Sequence, residues 1–143
     1  MKPFVKIALF VVLFFAVAGI LAALIMYNKK HPDTAKAKPD FVVTATALQK
    51  EFEDNEKTAS ARYINKILEV NGTIASVTLA DSAHLNISLK TGSDMSSVIC
   101  TFPSNGHQAD FVTGNEITLR GECSGFLMDV LLNNCSEIPV RKR

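Results

Sequence analysis

The feature that most constrains this chain is an uninterrupted apolar run near its N-terminus, Ile7–Met26. The run contains only Ile, Leu, Val, Phe, Ala, Gly and Met. A helix of twenty residues is about 30 Å long, which matches the hydrocarbon core of a bilayer. The sequence therefore predicts a single-pass anchor that contacts the lipid bilayer through residues 7–27, after a basic head at residues 1–6.

A cleaved secretory signal is the alternative interpretation of the same run. The triplet Ala16-Val17-Ala18 fits the small-residue pattern of a signal-peptidase site. Cleavage there would leave the apolar segment Gly19–Met26 at the new N-terminus. A soluble product would not begin this way, so a retained anchor is the better prediction.

The orientation of the anchor is less constrained, because lysines flank it on both sides. When the positive charges on the two sides of the run are simply counted, they nearly balance or even favour the reverse orientation. A short basic head before a long apolar run is nevertheless typical of an export signal that stays uncut. We expect the C-terminal domain to lie outside the cytoplasm, in the periplasm of a bacterial cell envelope.

The rest of the chain divides into three segments by composition. Residues 28–39 are charged, contain two prolines and lack apolar periodicity, which predicts an extended tether. Residues 40–138 have the size of one domain with one core. Residues 139–143 form a basic tail.

The domain begins with a helical pattern and continues with strands. Thr46 and Gln49 fit a capping box. One amphipathic stripe follows, broken near Asp54-Asn55, and consists of Leu48, Phe52, Ala59 and Tyr63. From Ile67 onward, apolar residues alternate with period two in five segments, and a helical turn over residues 108–111 fits after the third. This order predicts a mainly β fold, a five-stranded Greek-key OB-fold barrel preceded by one or two short helices.

The individual residues of this pattern resemble a known family. The early positions are Asp40-Phe41, Thr44, Leu48, Phe52, Asn55-Glu56, Ala59, Tyr63, Lys66, Glu69-Val70 and Gly72. The later ones are Val98–Cys100, Gly114–Thr118, Gly121–Gly125, Asp129-Val130 and Cys135. Together they resemble the tRNA-anticodon-like OB-fold family of mostly uncharacterised bacterial proteins, many of them anchored or exported. The resemblance implies the OB fold and supplies no catalytic residue.

The charge of the domain opposes nucleic-acid binding. Residues 40–138 contain six Lys and Arg against thirteen Asp and Glu, a net charge of −7. Phosphate binding depends largely on cations, and single strands also need aromatic side chains for stacking. The outward residues of the predicted second strand are His84, Asn86 and Ser88 instead. Nucleic acid is therefore an unlikely partner, and a nucleic-acid-binding OB protein is kept as the alternative function.

The most prominent candidate binding site is the apolar turn Phe126-Leu127-Met128. Three apolar residues in a turn predict an exposed tip that engages a protein, peptide or saccharide, unless they fold back onto the barrel. His84, at the start of a strand, is a second candidate for contact. No nucleophile motif, phosphate loop or metal-ligand spacing is present in the sequence. We therefore expect a binding module of unknown ligand, without catalytic residues, metal or cofactor, and not an enzyme.

The three cysteines allow two interpretations. Pairing of the last two strands about Asp129 would set Cys123 opposite Cys135, and Cys100 is the alternative partner of Cys135 in a disulfide. Three buried thiols that behave as small apolar residues fit equally well. A third function, redox or envelope-stress sensing, would require an exposed cysteine of low pKa.

Overall fold

The computed structural model describes residues 2–27, 33–103 and 111–139. The chain divides into two units, Met1–His31 and Pro32–Arg143. The first unit is one helix, α1 (Pro3–Tyr27), which is long and apolar enough to cross a membrane by length and composition. The helix begins four residues before the apolar run, with proline at its first position, where the missing N–H costs nothing. Much of the predicted basic head is thus helical.

The second unit is a closed barrel of five strands with one added strand and two helices. Its elements in order are β1 (Phe41–Thr44), α2 (Ala45–Asp54), α3 (Glu56–Tyr63), β2 (Ile67–Leu79), β3 (His84–Lys90), β4 (Ser97–Pro103), β5 (Glu116–Leu127) and β6 (Asp129–Glu137). The barrel runs β2-β3-β4-β6-β5 and closes through a pairing of β5 with the first half of β2. Strands β4 and β6 are parallel and the other barrel pairs are antiparallel. This closed barrel confirms the predicted OB fold.

Local hydrogen bonds explain where the two short helices begin and end. The Thr44 hydroxyl caps α2 by accepting from the backbone N–H of Ala47 at 3.2 Å, two residues before the predicted cap at Thr46. Asn55 ends α2 and caps α3, since its side chain accepts from Thr58 N–H at 3.0 Å. The predicted break in the stripe is therefore confirmed.

The core contains the residues that the period-two and helical patterns indicate. The stripe residues of α2 and α3 are buried with the inward side chains of the barrel: Leu48, Phe52, Ala59, Tyr63, Leu68, Val70, Leu85, Ile87, Leu89, Val98, Cys100, Phe102, Ile117, Leu119 and Cys123. The Tyr63 hydroxyl donates to the Glu51 carboxylate at 2.7 Å. Burial and this hydrogen bond raise the pKa of Tyr63 to about 12.

The segment before β1 is attached to the barrel over residues 33–39, which we call the strap. The Thr34 side chain is buried and donates to the carbonyl of Asn134, while Arg120 donates to the carbonyls of Ala35 at 3.2 Å and Ala37 at 2.7 Å. The prediction of an extended tether through residue 39 is therefore wrong for these residues. Their hydrogen-bond partners on β5 and β6 are remote in sequence.

Two glycines permit close approach inside the barrel. A Cβ at Gly72 would lie 3.0 Å from the Ala45 Cβ, so this glycine lets α2 pack directly on β2. A Cβ at Gly121 would lie 2.5 Å from the Cys135 sulfur. The register of β2 against β3 shifts between Ile74 and Ser76, shortly after Gly72. The predicted helical turn over residues 108–111 lies outside the described residues except for Phe111.

Candidate functional site

A polar groove of about 660 Å³ runs over the outer face of the barrel. Its floor is formed by residues of β2 and β3, chiefly the outward-facing Ser76, Ser88 and Lys90, and its end wall by the loop between β3 and β4. The lining residues are Ala75, Ser76, Ser88, Leu89, Lys90, Gly92, Ser93, Asp94, Met95, Ser96, Ser97 and Asp129. We call this site the serine groove, because five of its side chains are serine hydroxyls.

Hydrogen bonds hold the end wall of the serine groove in place. The Thr91 hydroxyl donates to the carbonyl of Ser96 at 2.6 Å, which closes the loop on itself. The Asp129 carboxylate accepts from the backbone N–H of Ser97 at 2.6 Å and from its hydroxyl at 3.0 Å. These contacts join the first residues of the parallel strands β4 and β6. The groove is therefore a preformed feature of the barrel.

The floor of the groove offers uncharged hydrogen-bonding groups. Ser76 and Ser88 face each other across β2 and β3, and neither hydroxyl has a partner in the described part of the chain. Lys90 adds a cation and Asp94 a carboxylate at the loop end. Hydroxyls can both donate and accept, so the floor suits ligands that carry hydroxyl or amide groups.

Aromatic side chains point away from this outer face. Phe102 is buried against Phe111, with ring centroids 5.5 Å apart. Phe52 stacks on Phe126 at 5.1 Å, and Phe41 lies edge-on to Tyr63 at 5.1 Å. The outward positions of β3 that precede Lys90 are His84, Asn86 and Ser88. Within the described residues of β3 and β4, the outer face thus has no platform on which bases could stack.

The three residues of the predicted apolar tip differ in their exposure. Leu127 and Met128 are exposed, as the turn indicates. Phe126 is only partly exposed, because its ring packs on Phe52 and against the core. The prediction of an exposed Phe126 is wrong, and a serine there would remove core contacts instead of probing a surface.

His84 lies at the other end of the barrel from this tip. It is exposed at the start of β3, and its Nδ1 lies 3.0 Å from the Asp81 carboxylate in the preceding loop. Hydrogen bonds from Ala83 N–H and from His84 lower the pKa of Asp81. Residue 84 pairs with Pro103 at the far end of β4, about 20 Å along the strand from Ser97. His84 and Met128 therefore do not form one site.

The three cysteines are free and buried. Cys123 pairs with Leu132 and not with Cys135, because the hairpin turns about Met128 and two bulges shift its register. The predicted Cys123–Cys135 bridge is therefore absent. Burial raises the pKa of Cys123 to about 11, and burial with a hydrogen bond to Cys100 holds the pKa of Cys135 well above its usual value. Burial therefore disfavours the reactive thiolate form of Cys123 and Cys135.

Sequence reasoning did not find the serine groove. Serines at positions 88, 93, 96 and 97 are ordinary loop and surface residues in the sequence, and only the barrel brings them beside Ser76. The one available signal was the high serine content of residues 88–97. Among the described residues, no group of three or more His, Cys, Asp and Glu side chains is arranged to hold a metal ion.

Comparison with a solved structure supports the fold. A crystal structure of a lipoprotein from Klebsiella pneumoniae, described as a candidate nucleic acid-binding protein, is similar with a TM-score of 0.54 and 18% identity, covering 67% of this chain and 90% of that one. The yeast Stn1 and Ten1 structure has a TM-score of 0.43 and 13% identity, with coverage of 74% and 66%. Comparison with curated protein sequences finds no match.

The family comparison covers almost the whole chain. The model of the tRNA_anti-like family matches residues 1–137, which include the apolar helix and the barrel. The match agrees with the closed five-stranded barrel and its two preceding helices. The chain therefore belongs to the tRNA_anti-like family.

Proposed function

We propose that this protein is a membrane-anchored OB-fold binding module, without enzymatic activity, that holds a ligand in the serine groove outside the cytoplasm. The observation that carries the proposal is a preformed groove on the outer barrel face, lined by hydroxyls and closed by Asp129 and Ser97. A ligand with hydroxyl or amide groups fits this lining, a chemistry shared by saccharides and peptides. OB folds use this kind of surface for oligonucleotides and oligosaccharides alike.

Nucleic-acid binding is the alternative, and the described surface opposes it. The Klebsiella pneumoniae lipoprotein is described as a candidate nucleic acid-binding protein, but at 18% identity the likeness concerns the fold. In this chain the domain is acidic and the outer face of β3 and β4 carries no aromatic platform. A protein that binds single-stranded nucleic acid needs positive charge to neutralise the phosphates and aromatic rings on which the bases stack, and this surface offers neither.

A blocking substitution tests the serine groove. Ser88→Tyr places a bulky ring on the groove floor without changing charge, and it is expected to weaken ligand binding at least tenfold. The matched control is Thr73→Tyr, on the part of β2 that pairs with β5 outside the groove. Purified full-length protein is tested by calorimetry against cell-wall oligosaccharides, neutral peptides and single-stranded oligonucleotides. Salt-sensitive binding of oligonucleotides, unaffected by Ser88→Tyr, would contradict the proposal.

A topology fusion tests the location. The length and composition of α1 fit a membrane span, and the short basic head before the apolar run supports a domain outside the cytoplasm. Alkaline phosphatase fused after Arg143 is expected to be active in cells, because this enzyme folds only after export. A fusion to a cytoplasmic reporter at the same position is the control and should be inactive. The opposite pair of results would place the domain in the cytoplasm.

A further inference from the structure

A second surface lies at the end of the barrel and is formed by Met95, Leu127 and Met128, which we call the methionine tip. These side chains are 79%, 78% and 64% exposed. Met95 belongs to the loop between β3 and β4, and the other two form the turn between β5 and β6. Burial of exposed methionine and leucine side chains favours contact with another molecule.

Hydrogen bonds to α2 fix both loops of the methionine tip. The Gln49 amide donates to the carbonyl of Met128 at 2.8 Å and to the Glu53 carboxylate at 3.1 Å. The same carboxylate accepts from the Ser96 hydroxyl at 2.9 Å, one residue after Met95. Gln49 is itself buried, so this connection is part of the fold. The tip is therefore held in place before any partner arrives.

The backbone at Met128 also distinguishes this turn. Its φ is 66°, in the left-handed region that favours glycine and asparagine. A long side chain such as that of methionine is disfavoured at this φ. The Met128 side chain is nevertheless exposed to solvent, so packing in the core does not explain it. A side chain held at a strained backbone position and directed outward suggests a role in contact.

Acidic residues near the tip favour a cationic partner. The segments that carry or contact the tip, residues 49–54, 91–97 and 127–129, contain five acidic residues and one basic residue, Lys50. The acidic residues are Glu51, Glu53, Asp54, Asp94 and Asp129, and Glu51 is already paired with Arg62. The remaining negative charge repels anionic lipid headgroups and nucleic acids, and attracts cationic groups.

We propose that the methionine tip docks a cationic amphipathic segment of a partner protein. The apolar side of that segment would cover Met95, Leu127 and Met128, and its Lys or Arg side chains would approach Glu53 and Asp94. Methionines adapt to varied apolar surfaces, and basic amphipathic helices bind such surfaces through residues spaced by three and four. The small area indicates a weak, reversible contact. Met95 and Asp94 also line the serine groove, so the two surfaces adjoin, but Leu127 and Met128 lie outside the groove lining. The proposal does not depend on the ligand of the groove.

A pair of synthetic peptides tests the proposal on the full-length protein in zwitterionic nanodiscs. The probe is a fluorescent 14-residue peptide of leucine and lysine at helical spacing, and its counterpart has glutamate in place of lysine. Empty nanodiscs give the background. We expect binding of the lysine peptide alone, weakened by added salt. Equal binding of both peptides would overturn the charge argument.

Substitutions then locate the binding surface. Leu127→Ser with Met128→Asn is expected to weaken binding of the lysine peptide at least tenfold without lowering the melting temperature, since Leu127 is exposed and asparagine tolerates the left-handed backbone. Val42→Ser is the control, because Val42 is 70% exposed on β1. Unchanged binding in the double variant would overturn the proposal. Loss of binding in Ser88→Tyr alone would place the peptide in the serine groove, and dimer dissociation in the double variant would identify a second copy as the occupant.

Discussion

Replacing Phe52 with alanine is expected to lower the free energy of unfolding by about 3–5 kcal/mol. Phe52 is fully buried on α2, stacks on Phe126 of β5 at 5.1 Å and lies 6.0 Å from Tyr63 of α3. The variant would leave a cavity where both helices meet the barrel. Urea denaturation in mild detergent, followed by tyrosine fluorescence, measures the change, since the chain has no tryptophan and Tyr63 is the tyrosine beside Phe52. Tyr27, the second tyrosine, lies outside the barrel unit.

The control for this experiment is Leu127→Ala, one residue from the stacked Phe126. Leu127 is exposed, so its loss should change stability by no more than about 0.5 kcal/mol. If the Phe52→Ala variant were as stable as Leu127→Ala, the packing of Phe52 would not hold the two helices against the barrel. Because α2 also carries Gln49 and Glu53, such a result would remove the support of the methionine tip as well.

The sequence predicted those parts of the fold that depend on local patterns. Apolar residues at period two identified the inward faces of the strands, since one face of each strand must be buried. The stripe from Leu48 to Tyr63 identified the helices for the same reason. Strand β1 was missed, because four residues carry little periodicity and pair only with a strand 27 residues later.

Features that depend on remote partners could not be predicted in this way. The strap is polar and contains Pro39, so its composition indicates a tether, yet Arg120 binds two of its carbonyls. The cysteine register was wrong because the hairpin turns about Met128 and not Asp129, and because a register shift between Cys123 and Gly125 sets Cys123 opposite Leu132. The serine groove requires strands from separate parts of the chain to lie side by side. Each of these features is set by pairings that a linear pattern does not contain.

Replacing Arg120 with alanine is expected to destabilise the barrel unit by about 3 kcal/mol and to release the strap. The guanidinium contacts the Glu69 carboxylate at 2.5 Å and the carbonyls of Ala35 and Ala37, and both charged side chains are mostly buried. Removing the cation leaves a partly buried carboxylate without its ion-pair partner. Trypsin then reports on the strap, because Lys36 lies within it, whereas Pro39 blocks cleavage after Lys38. Cleavage after Lys36 should be much faster in the variant than in the wild type.

Two controls separate the ion pair from the strap contacts. Arg120→Lys keeps the positive charge beside Glu69, but an ammonium cannot reproduce the planar donors that reach two carbonyls and a carboxylate together. It should recover part of the stability while the strap remains more sensitive to trypsin. Arg62→Ala removes an exposed ion pair with Glu51 and a guanidinium that lies over the Phe41 and Tyr63 rings, and its effect should stay below that of Arg120→Ala. If Arg120→Ala showed the wild-type trypsin pattern, the strap would be held by Thr34 and the chain around it, and not by the arginine.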